Sequence, residues 1–419
     1  MKEINIVELF AGVGGFRLGL ERANKKIFKT IFVNQWEPNK KSQYAFDCYI
    51  NNFGSENTTN YDIAQAKNEV PKNADLLVGG FPCQDYSVAS TNAKGIEGKK
   101  GVLWWEISWI LKHKKPKMIL LENVDRLLKS PSNQRGRDFA IILLNLHKLG
   151  YDVEWQVING ADYGMVQRRK RVFIFATKRT EFNNANTEVN LKNFNFKQSI
   201  FTEAFPIENT NDNDTIELSK YFKDEYDITK NYNKGKFKNR GYMLNGVVYQ
   251  TNFIATYNGG FECLEDILEI NPDIKYKLTK EQKNKFEYLK GPKKIERHKP
   301  NGELYYYSEG KMNLFDLKNK ASRTMLTSEG TINRSSHIIK NNNYRFITPV
   351  EAERLNYFPD NWTKSIKLER MRYFVMGNAL IVKIIEILGK EIIKYVNKFL
   401  LVEKYDSNQK NTLIINFTN

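Results

Sequence analysis

Cysteine is scarce. Cys48, Cys83 and Cys263 are an odd number, widely spaced and without a CxxC pair, which argues against a disulfide framework and against cysteine-held zinc. Histidine is nearly as rare: His113, His147, His298 and His337 are scattered without metal-ligand spacing, so no metal is expected. No stretch approaches the roughly 20 apolar residues of a membrane span. Met1-Lys2-Glu3-Ile4 has no signal-peptide character, so a soluble, cytoplasmic protein with no membrane partner is expected. Internal repeats and heptad arrays are also missing. What abounds is positive charge, 65 Lys+Arg against 48 Asp+Glu, a net +17 over 419 residues. That excess points first to a polyanion, most plausibly nucleic acid, although a solvated lysine-rich surface has the same composition. The length suffices for two domains.

Residues 1 to about 180 alternate apolar runs with amphipathic stretches. Strands are predicted at Ile4–Leu9, Thr30–Asn34, Leu76–Gly79, Met118–Leu121, Val153–Asn159 and Arg171–Thr177. Helices are predicted near Phe16–Ala23, Lys40–Asn51, Trp104–Lys112 and Arg137–Leu149. This rhythm predicts an α/β fold, a parallel sheet with helices on both faces, in which ligands bind beyond the carboxyl ends of the strands. From 181 to 343 the pattern dissolves. Asn-rich pieces, Phe182–Asn186 and Asn209–Asp214, separate basic, aromatic stretches at Lys230–Tyr242 and Lys277–Pro300, a composition suited either to phosphate contact and base stacking or to a solvated irregular surface. After 344, Thr348, Pro349 and Glu351 spell a helix start, with cap, first-turn proline and capping-box acid. An apolar-periodic stretch covers Ala379–Leu388, and residues 403–419 read as a polar, fraying tail.

The strand ends carry the chemistry. After Leu76–Val78 the chain reads Gly79-Gly80-Phe81-Pro82-Cys83, placing a lone thiol on a Gly/Pro-shaped loop, where a nucleophile rather than a core residue would sit. After the first strand, Phe10-Ala11-Gly12-Val13-Gly14-Gly15 suits either a nucleoside-bearing cofactor beside a helix N-terminus or merely a tight turn. Its spacing is not the GxGxxG of dinucleotide dehydrogenases. Gln35-Trp36-Glu37 follows the second strand, about where a ribose partner is expected, and Asp62-Ile63 comes next. Glu122 ends an apolar strand, where a carboxylate needs either a cationic partner or a raised pKa. Arg169 and Arg171 point to one strand face, two guanidinium groups for neighbouring acceptors.

Taken in order, FAGVGGF, GGFPCQDYS, ENV, QRRKRVF, YRFITPVEAERLNYFPDNW and MGNAL resemble the DNA (cytosine-5) methyltransferases of prokaryotic restriction–modification systems, over about 1–180 and 344–390. The resemblance implies a Rossmann-like class I S-adenosylmethionine-dependent sheet over 1–180, a smaller target-recognition domain over 181–343 and a return segment over 344–402. It implies that the Cys83 thiolate attacks carbon 6 of a flipped-out cytosine, that Glu122 binds ring nitrogen 3, that Arg171 binds the 2-carbonyl and that Arg169 supports the phosphate or the loop. Phe10, Ala11, Gly12, Gly14, Trp36, Asp62, Ile63, Pro82 and Asn378 are implied around S-adenosylmethionine, with S-adenosylhomocysteine as product. Where many members have Glu before the tryptophan this chain has Gln35, so the ribose partner is left between Gln35 and Glu37. Thr348, Glu351 and Arg354 are expected to be scaffold residues, and Cys48 and Cys263 packing residues. Double-stranded DNA is the implied partner, a cognate restriction endonuclease the family's companion, and a monomer the expected state. Transfer to tRNA cytosine and a silent DNA-binding regulator are the alternatives.

Overall fold

The computed structural model describes residues 2–81, 103–182, 199–299 and 301–415. Pro82 and Cys83, and all of the Phe182–Asn186 stretch except Phe182, lie outside the described residues. The frame is one 10-stranded sheet in the order β3-β2-β1-β4-β5-β7-β6-β9-β10-β8. Its strands are β1 (Ile4–Leu9), β2 (Phe28–Asn34), β3 (Thr58–Thr59), β4 (Leu76–Gly80), β5 (Met118–Val124), β6 (Tyr151–Asn159), β7 (Lys170–Lys178), β8 (Ile207–Glu217), β9 (Arg240–Leu244) and β10 (Val247–Ala255). The first five positions in that order pair in parallel. β7 and β6 run antiparallel to their neighbours, which corrects the expectation of an all-parallel catalytic sheet. The short connection over residues 160–169, a single 3-10 turn at Gly160–Tyr163 and a loop, makes the reversal, since parallel neighbours need a longer crossover.

Alternation along the strands supplies both faces of the sheet, as a period of two requires. Val7, Leu9, Leu77, Ile119 and Leu121 point to one core cluster, with α3 (Ile63–Ala66), α4 (Leu103–Lys114) and α5 (Arg137–Lys148). Ile6, Leu76, Val78, Met118 and Leu120 point to another, with α1 (Gly15–Asn24) and the long C-terminal helix. A third cluster joins α2 (Tyr44–Phe53) to α9 (Pro349–Leu355) and α10 (Glu369–Asn378) of the return segment. The α9 start is built as its sequence predicts. The Thr348 hydroxyl accepts from Glu351 N and the Glu351 carboxylate from Thr348 N, while Arg345 donates to both Glu351 oxygens at 2.7 and 2.8 Å. The C-terminal helix α11 spans Val382–Ile415, so the backbone expected to fray beyond 402 is helical as far as Ile415.

The change at residue 181 does not coincide with the edge of the sheet. β8, β9 and β10 continue it beyond β6, with α6 (Leu218–Tyr221) packed on β10 and α7 (Glu225–Asn231) on α5. Asn209–Asp214, expected to be irregular, is edge strand. An edge exposed to water needs no apolar face, and polar partners hold this one, Gln250 to Asp214 at 3.0 Å and Asn252 to Asp212 at 2.7 Å. Within Lys230–Tyr242, Tyr232 and Phe237 are core residues and Phe237 packs edge-on against Phe139 and Trp155. That stretch is therefore no stacking surface for bases. The remainder of the middle region is built from α8 (Lys280–Lys290), a ribbon of β11 (Lys293–His298) and β12 (Leu304–Glu309), and the pair β13 (Ile338–Lys340) and β14 (Tyr344–Phe346). Among the described residues no helix is long and apolar enough to cross a membrane and no group of His, Cys, Asp and Glu could hold a metal.

The return segment is locked onto α1 at Gly19, where a Cβ would lie 2.6 Å from Ile385 Cβ and 2.9 Å from Val382 O. Gly→Ala in an open helix gains up to about 1 kcal/mol. Gly19→Ala is expected instead to lose about 1–3 kcal/mol through overpacking, read as a lower urea midpoint; a higher midpoint would contradict this packing.

Candidate active site

The carboxyl ends of β1, β2, β4 and β5 open on one cavity of about 500 Å3. Strand order turns back at β1 and β4, which makes this the switch point where an open α/β sheet leaves a crevice. The loop after β1 forms one wall. Phe10 (φ 53°), Gly12 (φ 57°) and Gly14 (φ 86°) are all left-handed, an arrangement that is costly for Phe10 and holds only where the surroundings enforce it. They do. Ala11 N donates to Asn34 O at 3.1 Å and Gly12 N to Gln35 Oε1 at 2.7 Å. A Cβ on Gly12 would meet no protein atom; the bare backbone faces the cavity.

Beneath that loop lies a residue that the sequence reading passed over. Glu8 is fully buried, accepts from Tyr49 Oη at 3.0 Å and from Arg17 N at 3.4 Å, and so ties the first turn of α1 to β1. Burial pushes its carboxyl up to about 7, against the lowering effect of those hydrogen bonds. An acid between Val7 and Leu9, four residues before the first glycine of the turn, was the available signal.

The second wall is Gln35, Trp36 and Glu37. Gln35 spends its oxygen on Gly12. Glu37 accepts from Ala45 N at 3.0 Å, capping the first turn of α2, and burial raises its pKa. Trp36 keeps 37% of its surface open. Asp62 and Ile63 do not line the cavity. The Asp62 carboxylate accepts from Ala64 N at 3.0 Å as the cap of α3, and Ile63 is buried among the core residues beneath the sheet.

The third wall carries the charges. Glu122 and Arg171 stand on paired strands, Glu122 opposite Phe173 and Arg171 opposite Val124, and Arg171 Nε lies 2.9 Å from Glu122 Oε1. The carboxylate at the strand end therefore has a cationic partner. Its other oxygen faces Gly80, where a Cβ would approach to 3.2 Å, so Gly80 leaves room for it. Gly79 is needed for another reason: a Cβ there would meet Leu9 O at 2.7 Å. Asn123, the middle residue of ENV and unassigned from sequence, donates to Phe81 O at 2.8 Å. It thereby fixes the last described residue before Pro82 and Cys83.

Arg169 differs from its expectation. It lines the cavity yet is 1% exposed, and its guanidinium donates to Met325 O at 3.1 Å and Gly377 O at 2.9 Å. Burial pulls its pKa down to about 9. Those carbonyls occupy the fork, so Arg169 braces the site rather than offering a second open guanidinium beside Arg171. Gln167 does likewise, donating to Leu355 O and Asn356 Oδ1 and accepting from Met325 N, each at 3.0 Å. Neighbouring Ser322 pairs with Val166 and Arg168 through its backbone. Its hydroxyl meets His337 Nε2 at 2.8 Å, and His337 Nδ1 meets Glu329 at 2.8 Å. Asn378, the last residue of α10, closes the cavity from the return segment.

The other two cysteines are structural. Cys48 is buried, its thiol pushed up to about 12 by burial, and Cys263 caps the short turn Leu264–Ile267.

An α/β sheet with a crevice at its switch point and a paired acid and base on the crevice wall is the frame of a group-transfer enzyme. The model of the C-5 cytosine-specific DNA methylase family matches residues 4–394, and the chain belongs to that family as a DNA (cytosine-5-)-methyltransferase. It is similar to the type II methyltransferase M.Sau3AI of Staphylococcus aureus, 50% identical over 400 residues, 94% of this chain and 96% of that protein. It is also similar to the type II methyltransferase M.HhaI of Haemophilus parahaemolyticus, 32% identical over 202 residues, 48% of this chain and 55% of that one. In fold it matches the S. pombe Dnmt2 methyltransferase, with a TM-score of 0.57 at 17% identity, covering 94% of this chain and 100% of that one.

A carboxyl whose folded-state pKa is raised favours the fold while it is protonated. The contribution of Glu8 is thus complete below about 4.5 and is lost as pH rises through about 7. The stability difference between wild type and Glu8→Gln, followed by urea unfolding, is expected to shift by roughly 3 kcal/mol against wild type across that window. A flat difference would show that Glu8 is not held neutral.

Proposed function

We propose that this enzyme transfers a methyl group from S-adenosylmethionine to carbon 5 of a cytosine flipped out of a specific double-stranded DNA sequence. We further propose that it does so through a transient bond from Cys83, as the monomeric modification enzyme of a type II restriction–modification system whose endonuclease acts on the same site. The observation that carries this reading is the Glu122–Arg171 pair, at 2.9 Å on the cavity wall beside the exit of the Cys83 loop.

Cys83 Sγ, as thiolate, adds to carbon 6 of the base, and the electron pair of the 5,6 double bond moves to carbon 5. Glu122 hydrogen-bonds ring nitrogen 3 and Arg171 the 2-carbonyl, so that charge gathering on the ring meets preset partners. Their mutual ion pair holds both side chains in place before the base arrives, which avoids reorganising them during reaction. Once carbon 5 has used that electron pair in a bond to the donor's methyl group, loss of its proton to water leaves the C–H pair to restore the 5,6 double bond, and the C6–S bond breaks to release the Cys83 thiolate. Pro82 and Phe81 limit the paths open to that loop, and Asn123 pins its origin.

The cavity suits the methyl donor. Bare Gly12 backbone admits close approach, Trp36 offers a flat face for adenine, and Glu37 has one oxygen not spent on Ala45 N for the ribose hydroxyls. With the Gln35 oxygen engaged by Gly12, Glu37 is the ribose partner in this reading, and Asn378 closes the methionine end. S-adenosylmethionine supplies an electrophilic methyl group on its sulfonium.

Cys83→Ala is expected to abolish transfer of labelled methyl to plasmid DNA while the cofactor dissociation constant, from calorimetry, stays within about threefold. Glu122→Gln, which keeps a hydrogen-bonding partner for Arg171 but loses the charge, should lower kcat by roughly 10²–10³. Full turnover by the Cys83 variant would remove the proposed nucleophile.

A further inference from the structure

Past residue 290 the chain rises from the packed body as a two-stranded ribbon. β11 and β12 pair from Lys293 opposite Glu309 to His298 opposite Leu304, in a sheet of their own, and outside the root both faces are exposed. A lone hairpin without a packed face is marginal in water. Yet Ile295, Leu304, Tyr305, Tyr306 and Tyr307 all stand open to solvent on it, which is the signature of a surface meant for a partner.

We propose that this ribbon enters the major groove of the duplex carrying the target cytosine, and that Arg297 reads a guanine edge there. The proposal rests on the site-specific DNA methylation described above and names its reading element. Two strands about 4.8 Å apart with their side chains fit a groove about 12 Å wide, which admits a β-ribbon. The charges are arranged accordingly. At the root Lys293 pairs with Glu309 at 3.2 Å, and toward the turn Lys299 pairs with Glu303 at 2.9 Å. Between them, Lys294 and Arg297 have no carboxylate at ion-pair distance among the described residues. Each instead lies over a tyrosine, Lys294 Nζ 4.6 Å from the Tyr306 ring centre and Arg297 Cζ 4.1 Å from that of Tyr307. A stacked guanidinium keeps its planar fork of donors at the edge, the shape that binds O6 and N7 of guanine together.

The ribbon is also rooted to the active site. Arg334 donates to Leu289 O, Gly291 O and Gly310 O and lies 3.4 Å from Glu309, so one guanidinium clasps both ends of the ribbon. Nine residues before it, Met325 holds Arg169. A base read by the ribbon is therefore at a set distance from the base held at Glu122.

The test uses bisulfite sequencing of plasmid from cells expressing wild type or Arg297→Lys, and anisotropy of a labelled plasmid fragment with a variant in which Asn-Gly replaces residues 294–308. Arg297→Lys keeps the charge and loses the fork. Methylation should spread to sites differing from the wild-type sequence at one G·C pair, with discrimination there reduced roughly 5- to 150-fold. An unchanged sequence preference, or an even loss at every position, overturns the proposal. The trimmed variant should hold wild-type cofactor affinity, which reports its folding, and lose at least tenfold in affinity for the fragment with a shallower salt dependence. Unchanged affinity overturns the proposal in that arm. If the wild-type enzyme modified no cytosine, site-specific methylation would fail as a reading, and the anisotropy arm alone would decide whether the ribbon contacts DNA.

Discussion

An ion pair between two neighbouring strands organises this molecule. Glu122 follows four buried residues of β5, Met118 to Leu121, and a carboxylate there is tolerable only with a partner. Arg171 supplies it from β7 at 2.9 Å. The pairing requires β7 to lie beside β5 and to run against it, which is how the sheet is built. Breaking one member of such a pair would leave the other uncompensated on a low-dielectric wall. In the proposed reaction the same two groups meet ring nitrogen 3 and the 2-carbonyl of cytosine, so the constraint that stabilises the strands would also prepare the site for the base.

Around this pair a second set of contacts ties distant parts of the chain together. Arg169 and Gln167, next to Arg171 in sequence, bond the backbone at Met325, Gly377 and Leu355. These join the middle region and the return segment to a single strand entrance. Farther out, the buried Ser322–His337–Glu329 chain and the Arg334 clasp carry the connection to the ribbon. In the proposed function, the element that reads DNA and the wall that holds the base are thus joined through contacts of both backbone and side chains.

Most of the catalytic fold was legible because its signals are local. Six apolar runs gave six strands, each within two or three residues at its ends, and the Thr348–Glu351 cap formed as its spacing implies. What escaped was set by tertiary context. Asn209–Asp214 reads as a loop, but a sheet edge accepts polar residues when the neighbouring strand supplies partners. Tyr232 and Phe237 look like stacking aromatics in a basic stretch, but Trp155 and Phe139 on the neighbouring elements bury Phe237. At the site, Glu122 and Arg171 stand together as the motif order suggests. Arg169 is turned aside by carbonyls that are 156 and 208 residues away in sequence, a distance over which no local pattern carries information. The single substitution of Gln35 for an acid has a counterpart in the structure: its amide oxygen holds Gly12.

The central claim is that Cys83 bonds to carbon 6 of an extruded cytosine, and trapping tests it most directly. A duplex carrying 5-fluorocytosine at the position modified in plasmid DNA would be incubated with enzyme and S-adenosylmethionine, since fluorine blocks the proton loss that frees the thiol. The account predicts a conjugate that survives denaturing electrophoresis, maps to the peptide containing Cys83 and is absent from Cys83→Ala. No conjugate at that position, or one that persists without Cys83, would contradict it.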